Sequence, residues 1–598
     1  MDSLAADQVT ITHSKVPTAL KTSTKPVHVI TRSDALSFGL TELDQVLDIT
    51  AGINVNGSLS NPAKDRSVYL QGASPEYTLF LVDGIPVTDP SAIGSTFDIR
   101  QLSMDQVDRI EILKGSHSTL YGSEAMAGVI NIITRSDKQT GQNLMAHASL
   151  SSVQTLKTGI NFSNHTSNMG YSLALNGLTT KGISEAFSRD GTSFDNDPLR
   201  KWGGQIQGEL LSNSPIQIRP YIRFNKLNGD FDGGAFLDSE DRYESDWLNS
   251  GINLKYKGET HSFNLDYNFS QTNRSFNTSF GLSEFKGRFN QLDGFGNIEF
   301  NESMQLMYGI NIQDQKMLDM GSTEDPNATI WSPYANLIAK VSDEFNVEAG
   351  IRFNDHSEFG QQTNFSGGLS YWLGNSLKLY SSYGTAFKTP NLFQLYGQFG
   401  ANPSLKPQTS KSLQTGFHMG SSDHKIKFDL LYFNRTIDNI IVFLFDPGYV
   451  NRDRQHDQGI DFSGSWLMPH GGRIRFSYNY LHARTFTDEI EIERDLLRRP
   501  NHQFEFQYGQ DFSPSVSAFV HVRRTGIRSD LFFNPDTFVN DPVELGAYWL
   551  IDLGLRKKLS PESSIHVRIS NLGDAEFQEI YGFSTLGIQG HINFIYQR

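Results

Sequence analysis

The sequence predicts an all-β membrane barrel of about 22 antiparallel strands with an N-terminal α+β plug domain inside the lumen. Three observations carry this. From about residue 143 onward the chain repeats one unit, roughly ten alternating residues and then a polar turn or loop. Aromatic residues reach 12%, yet the hydrophobic fraction is only 37% and mean hydropathy is −0.40. A wall that is apolar outside and wet inside averages to such values. The first 137 residues lack the alternation and read as a compact α+β unit.

Taken in order, residues 1–15 form an N-terminal extension, 16–137 the compact domain and 138–598 the barrel. The opening Met1-Asp2-Ser3-Leu4-Ala5 lacks the basic and apolar regions of a secretory signal, so the chain reads as a mature form with an added start methionine. Thr41 to Leu47 reads as a short helix with Thr41 as its cap. Ser67 to Gly72 and Tyr77 to Gly84 read as strands, the second ending in the turn Asp83-Gly84. Gln106 to Ile112 begins the next strand. Arg109 to Gly115 and Ala127 to Thr134 are two β-branched runs joined through glycine-containing turns, with Leu120-Tyr121-Gly122-Ser123 between them. Lys138 to Gly141 links this unit to the repeats.

In Arg473-Ile474-Arg475-Phe476-Ser477-Tyr478-Asn479-Tyr480 the even positions are bulky and largely apolar and the odd ones polar. Lys425 to Leu430 and Ile565 to Ser570 alternate likewise. The charges of Arg473, Arg475, Lys425, Lys427 and Arg568 all fall on the polar phase, as a wet or plugged lumen allows. A soluble sandwich also alternates, but its strands are usually shorter and its apolar face meets a second sheet. Tight turns at 258–260 and 421–423 contrast with long loops at 181–200, 228–243, 385–407 and 526–546, the inequality expected of short periplasmic turns and long outer loops. No run of eighteen apolar residues occurs, which excludes a spanning helix. A membrane role therefore requires a closed barrel.

Composition excludes other classes. With no cysteine there is no disulfide framework, thiolate nucleophile or thiolate metal site. A net charge of −15 argues against a nucleic-acid partner. No catalytic constellation, nucleotide loop or nucleophile with a partnered base is present, so the reading is not an enzyme, with no catalytic cofactor.

Leu81-Val82-Asp83-Gly84-Ile85-Pro86-Val87, the strands of 109–134, the run from Tyr383 to Tyr396, Asn402-Pro403-Ser404-Leu405-Lys406-Pro407 and Asn571 to Phe577 together resemble the TonB-dependent outer-membrane receptors over essentially the whole chain. Among subfamilies, the wording of 383–407, Leu496-Leu497-Arg498-Arg499 and Tyr581 to Gly587 is similar to the cobalamin (corrinoid) receptors. Three positions depart from the pattern. Gln71 stands where many plugs carry arginine before Gly72, Ala127 replaces a common glycine, and Tyr596-Gln597-Arg598 replaces the customary terminal aromatic.

The resemblance implies energised import across the bacterial outer membrane, with outer-membrane lipid around the wall. Asp7-Gln8-Val9-Thr10-Ile11-Thr12 resembles the TonB box. Its β-branched alternation suits addition as a strand to the TonB C-terminal domain; the alternative is a locally paired terminal strand. The plug's upward loops, 56–61 and 87–94, imply substrate contacts from Asn56, Ser58, Ser60, Asn61, Asp89 and Ser91, polar groups suited to corrin amides and also ordinary turn residues. Asp190, Asp195 and Asp197 in one long loop and Asp230, Asp232 and Asp238 in the next could hold structural calcium, which takes about six to eight oxygens; solvated acidic loops are the alternative. A ferric siderophore is the main rival substrate. Haem is weaker, because residues 388–406 contain no histidine to ligate iron. A substrate-binding lipoprotein capping the barrel is a further candidate partner. A non-transporting surface binder or adhesin is the alternative of a different class.

Overall fold

A computed structural model describes residues 9–10, 12, 14–16, 18–19, 22–135, 140–319, 325–421, 425–444, 446–452, 454–487, 492–535 and 537–598. The alternating segments form one closed antiparallel barrel, from a first strand Gly141–Ser151 to a last strand Gln589–Gln597. The ring closes where Met145–Ser151 pairs with His591–Gln597. There are 22 strands when Ile492–Asp495 is taken with His502–Ser513, since both pair with Gly472–Thr487. Closure leaves no unpaired sheet edge for hydrocarbon to penalise.

The two phases of each strand separate as their chemistry requires. In Tyr548–Lys558 the side chains of Trp549, Ile551, Leu553 and Leu555 are exposed on the outer face while Asp552 is buried inside. Val567 and Ile569 likewise point outward, and His566 and Arg568 inward. Connections 181–198, 232–240, 389–407, 439–453, 526–547 and 571–588 all lie at one end, with short turns such as 166–168, 258–260 and 514–515 at the other. Strands such as Gly281–Asn301, 21 residues long, far exceed the roughly ten residues that span hydrocarbon. Sheet therefore continues beyond the membrane on the long-loop side. This corrects the loop expected at 228–243, which shrinks to 232–240 and leaves Asp230 in a strand. It also makes most of 526–546 a hairpin, Arg528–Asn534 against Val539–Leu545.

Inside the ring sits the N-terminal domain. Its short strands are β1 (Val9–Thr10), β2 (Thr18–Ala19), β3 (Val27–Thr31), β4 (Ile53–Asn56), β5 (Ser67–Leu70), β6 (Thr78–Val82), β7 (Ile85–Val87), β8 (Val107–Lys114) and β9 (Gly128–Thr134). Five of them form a sheet in the order β3-β8-β9-β6-β7, parallel only between β6 and β9. Asp83 and Gly84 take φ of 55° and 84°, the two left-handed residues a tight hairpin turn demands between β6 and β7. Helix α1 (Arg32–Ser37) starts at a reciprocal capping box between Thr31 and Asp34. Helix α2 (Leu43–Asp48) is capped at Glu42, not at the expected Thr41; the Glu42 side chain makes no capping bond, and the Asp44 carboxylate accepts the Gln45 N–H at 2.8 Å. Helix α3 (Ser118–Tyr121) fills the connection between β8 and β9. The core gathers Val46 and Leu47 of α2, Ile53 and Val55 of β4, Leu70 of β5, Ile110 and Ile112 of β8 and Ile130 of β9.

Ionic and hydrogen-bond contacts with the wall hold this domain in place. Arg435 and Asp457 of the wall are both fully buried and 2.7 Å apart, and Arg435 also donates to the Gln71 carbonyl at 2.8 Å. Lys114 of β8 meets Asp461 of the wall at 2.7 Å, and the Gln71 amide donates to the same carboxylate at 3.1 Å. Gln71 thus meets the wall without a charge of its own, its carbonyl accepting from Arg435 and its amide donating to Asp461. Ala127 is accommodated beside Tyr77, whose carbonyl accepts its N–H at 2.8 Å. Gly128 is the strict position: a Cβ there would lie 2.5 Å from the Leu113 carbonyl oxygen.

Substituting Arg435→Leu strands the Asp457 carboxylate without its cation. Such a loss costs on the order of 3–5 kcal/mol, so the folded band on unheated gels should convert at a clearly lower temperature than in the native chain. An unchanged transition would show that the pair does not anchor the domain.

Candidate functional site

Above the N-terminal domain, at the long-loop end, lies a chamber of about 940 Å³. Its floor is the segment from Ala92 to Arg100, which follows β7, and its walls bring Phe231, Tyr243 and Phe276 from the barrel. Loops add Phe393 and Phe399, and the hairpin 441–451 adds Phe443 and Tyr449. Phe393 sits in helix α4 (Leu392–Tyr396), which begins at a capping box between Asn391 and Gln394. The volume is at the upper end of the range for small-molecule pockets, roughly 300–1,000 Å³, and aromatic rings share the lining with many charged and polar side chains.

Each lining cation is engaged by carboxylate. Arg274 lies 2.9 Å from Asp89, Arg100 2.7 Å from Asp98, and Lys64 between Asp65 at 2.6 Å and Glu185 at 2.7 Å. Arg66 pairs with Asp44. Glu76, Glu124 and Glu244 add further acid to the lining, so carboxylates outnumber cations around the chamber among the described residues.

The expected contact residues fall in two groups. Asp89 lines the chamber, and its carboxylate accepts from the Ser91 N–H and hydroxyl at 2.9 and 2.6 Å. Asn56, Ser58, Ser60 and Asn61 are buried beneath inward-folded loops. Ser60 donates to the Ser584 carbonyl at 2.5 Å, Asn61 to the Asp197 carbonyl at 3.0 Å, and Ser58 to Asp48 at 2.9 Å. Glu579 descends from 571–588 to accept the Gly57 and Leu59 N–H groups at 3.0 and 3.2 Å. The amide nitrogen of Asn56 is buried with no hydrogen bond among the described residues. The chamber's aromatic wall was absent from the sequence reading. Phe231, Tyr243 and Phe276 sit near strand ends, where aromatic residues read as an interfacial girdle.

The acidic loops meet. Carboxylate oxygens of Asp195, Asp232 and Asp238 lie within 4.8 Å of one another. Asp197 joins them through Asp232, and its other contact is the Glu185 N–H at 2.6 Å. Burial, then the Asp232 charge, pushes the Asp197 carboxyl up to about 8. Asp238 is raised to about 6 by desolvation and by Asp195 and Asp232. Asp190 stands apart, accepting from Thr192 at 2.6 Å, and Asp230 lies 3.6 Å from Arg242. Three carboxylates this close are an oxygen-rich arrangement suited to a hard divalent cation.

At the short-turn end, Val9–Thr10 pairs with Thr18–Ala19. Thr12 is clamped below the sheet: its N–H and hydroxyl donate to Glu111 at 2.9 and 2.6 Å, and Tyr121 donates to its carbonyl at 2.6 Å. Asp7, Gln8 and Ile11 lie outside the described residues.

A plugged barrel with unequal ends and a chamber over the plug defines an outer-membrane receptor, and comparison with known proteins agrees. The family model described as TonB dependent receptor-like, beta-barrel, matches residues 143–572, and the TonB-dependent Receptor Plug Domain matches 19–129. The chain belongs to the TonB-dependent receptor family. It is 24% identical over 619 aligned positions to the vitamin B12 transporter BtuB of Vibrio cholerae serotype O1, covering 99% of this chain and 95% of that one. Its fold matches the siderophore receptor PirA from Acinetobacter baumannii with a TM-score of 0.83 at 17% identity, over 96% of this chain and 98% of that one. The ferripyoverdine receptor of Pseudomonas aeruginosa matches with a TM-score of 0.82 at 15% identity, over 99% and 89%. The long-loop end is the outer end.

Because Asp197 and Asp238 bind protons more tightly folded than unfolded, they favour the ordered loops at low pH and lose that contribution as pH rises through about 6 and then about 8. In chelator, hydrogen exchange in 181–198 and 232–240 should therefore quicken between pH 6 and 8. Exchange with no pH dependence beyond the intrinsic amide rate would contradict the shared-proton arrangement.

Proposed function

We propose that the chain imports cobalamin or a related corrinoid, driven by TonB. The observation that carries this reading is the chamber's charge balance. A ferric tris-catecholate is a polyanion and needs cations left over to meet it, but the four lining cations are already matched by carboxylates. A corrinoid is large, carries no comparable net negative charge and is rimmed with amides. It suits an aromatic chamber with scattered polar groups, Asp89 among them. The likeness to a vitamin B12 transporter supports the same reading.

Two further assignments complete it. Residues 7–12 act as the TonB box, adding as a strand to the TonB C-terminal domain. To do so they give up two residue pairs between β1 and β2 and the hydrogen bonds that hold Thr12 to Glu111, Tyr121 and Asn131. Calcium bound by Asp195, Asp232 and Asp238, with Asp197 beside them, orders the outer loops by replacing the shared protons with a dication. Asn56, Ser58, Ser60 and Asn61 then reach the solute once the loops above them lift.

Equilibrium binding on the purified protein tests the substrate. With calcium present, cyanocobalamin should bind and a ferric tris-catecholate should not; the reverse preference would overturn the assignment in favour of a siderophore. Deleting residues 6–12 should abolish uptake while leaving binding intact. Uptake that persists would remove the box, and binding with no uptake by the native chain would make it a surface binder.

A further inference from the structure

Among the described residues, Glu579 is a buried carboxylate without an ion pair of its own. It stands in the outer connection 571–588, descends to the N-terminal domain and is only 4% exposed. Its Oε2 accepts both the Gly57 N–H at 3.0 Å and the Leu59 N–H at 3.2 Å, and its Oε1 lies 3.5 Å from the Ser58 hydroxyl. The two cations whose charge acts on it are engaged elsewhere, Arg66 with Asp44 and Arg523 with Asp48 and Glu505. Two backbone donors that close on a single oxygen, beside a glycine with φ of 92°, make a socket for an acceptor. A further donor adjoins it. The amide nitrogen of Asn56 is buried and makes no hydrogen bond among the described residues.

The connection that carries Glu579 is tied at its neck and laid over the socket at its middle. At the neck the Asn571 side chain accepts the Ala575 N–H at 2.9 Å, and Asp574 accepts the Ile588 N–H at 2.8 Å. Over the socket the Leu586 N–H donates to the Leu59 carbonyl at 2.8 Å, and the Ser60 hydroxyl donates to the Ser584 carbonyl. The Ser584 N–H donates to the carbonyl of Glu185, a residue that lines the chamber, so a solute held there abuts this connection. A charge buried on neutral donors costs desolvation that it regains on leaving. A carboxamide oxygen takes the same two N–H groups without burying a charge, and with Asp48 close by a second anion gains little. We propose that Glu579 is an intramolecular stand-in for the solute: it occupies the Gly57 and Leu59 donors until a carboxamide oxygen of the solute displaces it and 571–588 lifts. This rests on the transport reading above.

Displacement depends on the proton. Burial, then the Asp48 charge, pushes the Glu579 carboxyl up to about 7. The other charged or titratable groups around it are Arg66, Arg523, Tyr548 and Arg528, the last donating to the Gln578 carbonyl at 3.1 Å. Protonated on Oε1, Glu579 still offers Oε2 to both donors, so the closed connection is favoured below about pH 7 and loses that contribution as pH rises through it. The solute's competitor weakens as it ionises.

Equilibrium binding of radiolabelled cyanocobalamin to the full chain in saturating calcium reads this competition. Glu579→Gln keeps an acceptor oxygen but cannot ionise. Between pH 6 and 8 the native Kd should fall about tenfold more than that of Glu579→Gln, the change that a carboxyl moved from its ordinary 4.5 to about 7 imposes on the closed state. Glu579→Ala, with no acceptor, should bind more tightly than the native chain at pH 6. An equal change with pH in the native chain and Glu579→Gln, or binding by Glu579→Ala no tighter than native, overturns the proposal. The chain contains no cysteine, so a single thiol reports on closure without background. A hydrophilic maleimide at pH 6.5 should label Ser60→Cys faster when Glu579→Ala is added, and equal rates overturn the hold of Glu579 on the socket. If no form binds cyanocobalamin, the substrate reading fails by that arm alone, and the labelling rates still decide the role of Glu579.

Discussion

Everything in this molecule follows from the absence of hydrogen-bonding solvent in the bilayer. A strand that crosses hydrocarbon must find partners for its backbone on both sides, and the pairing of Met145–Ser151 with His591–Gln597 supplies the last of them. Closing 22 strands makes a ring whose bore is too wide for its own side chains to fill. A separate folded domain must occupy the bore or the membrane leaks. The polar mean of the sequence, the outward aromatics and the inward charges are consequences of that geometry.

The filling domain meets the wall largely through ions and amides. Lys114 with Asp461 and Arg523 with Asp48 are buried pairs between domain and wall, and the wall pair Arg435–Asp457 reaches the Gln71 carbonyl; their desolvation is offset by close geometry and added hydrogen bonds. Such contacts fix one seating of the domain but can be traded for water when it moves. An apolar interface of the same area would hold it more firmly and release it less readily. Apolar contacts supplement the polar ones at several places round the wall, at Leu199 and Leu227, at Phe295, Met307 and Tyr334, and at Ala386 and Ile437, and the N-terminal segment is tied down at Asp293.

The barrel was legible because a period of two residues is local, and so was the hairpin turn at Asp83-Gly84, where two left-handed residues admit few side chains. Loop limits were less so. Strands continue past the bilayer into water, so the polarity of Asp230 does not place it in a loop. The acidic loops were visible as composition, but that Asp195, Asp232 and Asp238 converge while Asp190 turns away is set by how two loops fold over each other. The burial of Ser60 and Asn61 depends on 181–198 and 571–588 folding inward, a contact between distant parts of the chain that no local pattern encodes. The chamber's aromatics escaped for a related reason: Phe231 or Tyr243 near a strand end looks the same whether it faces lipid headgroups or a ligand.

Ion conductance of the purified chain in a planar bilayer tests the central claim most directly. If the N-terminal domain is seated in the bore as described, the inserted protein passes no steady current at neutral pH under a moderate applied voltage. A stable open-pore current from the intact chain would mean that the bore is not filled, and the account of a plugged receptor would not stand.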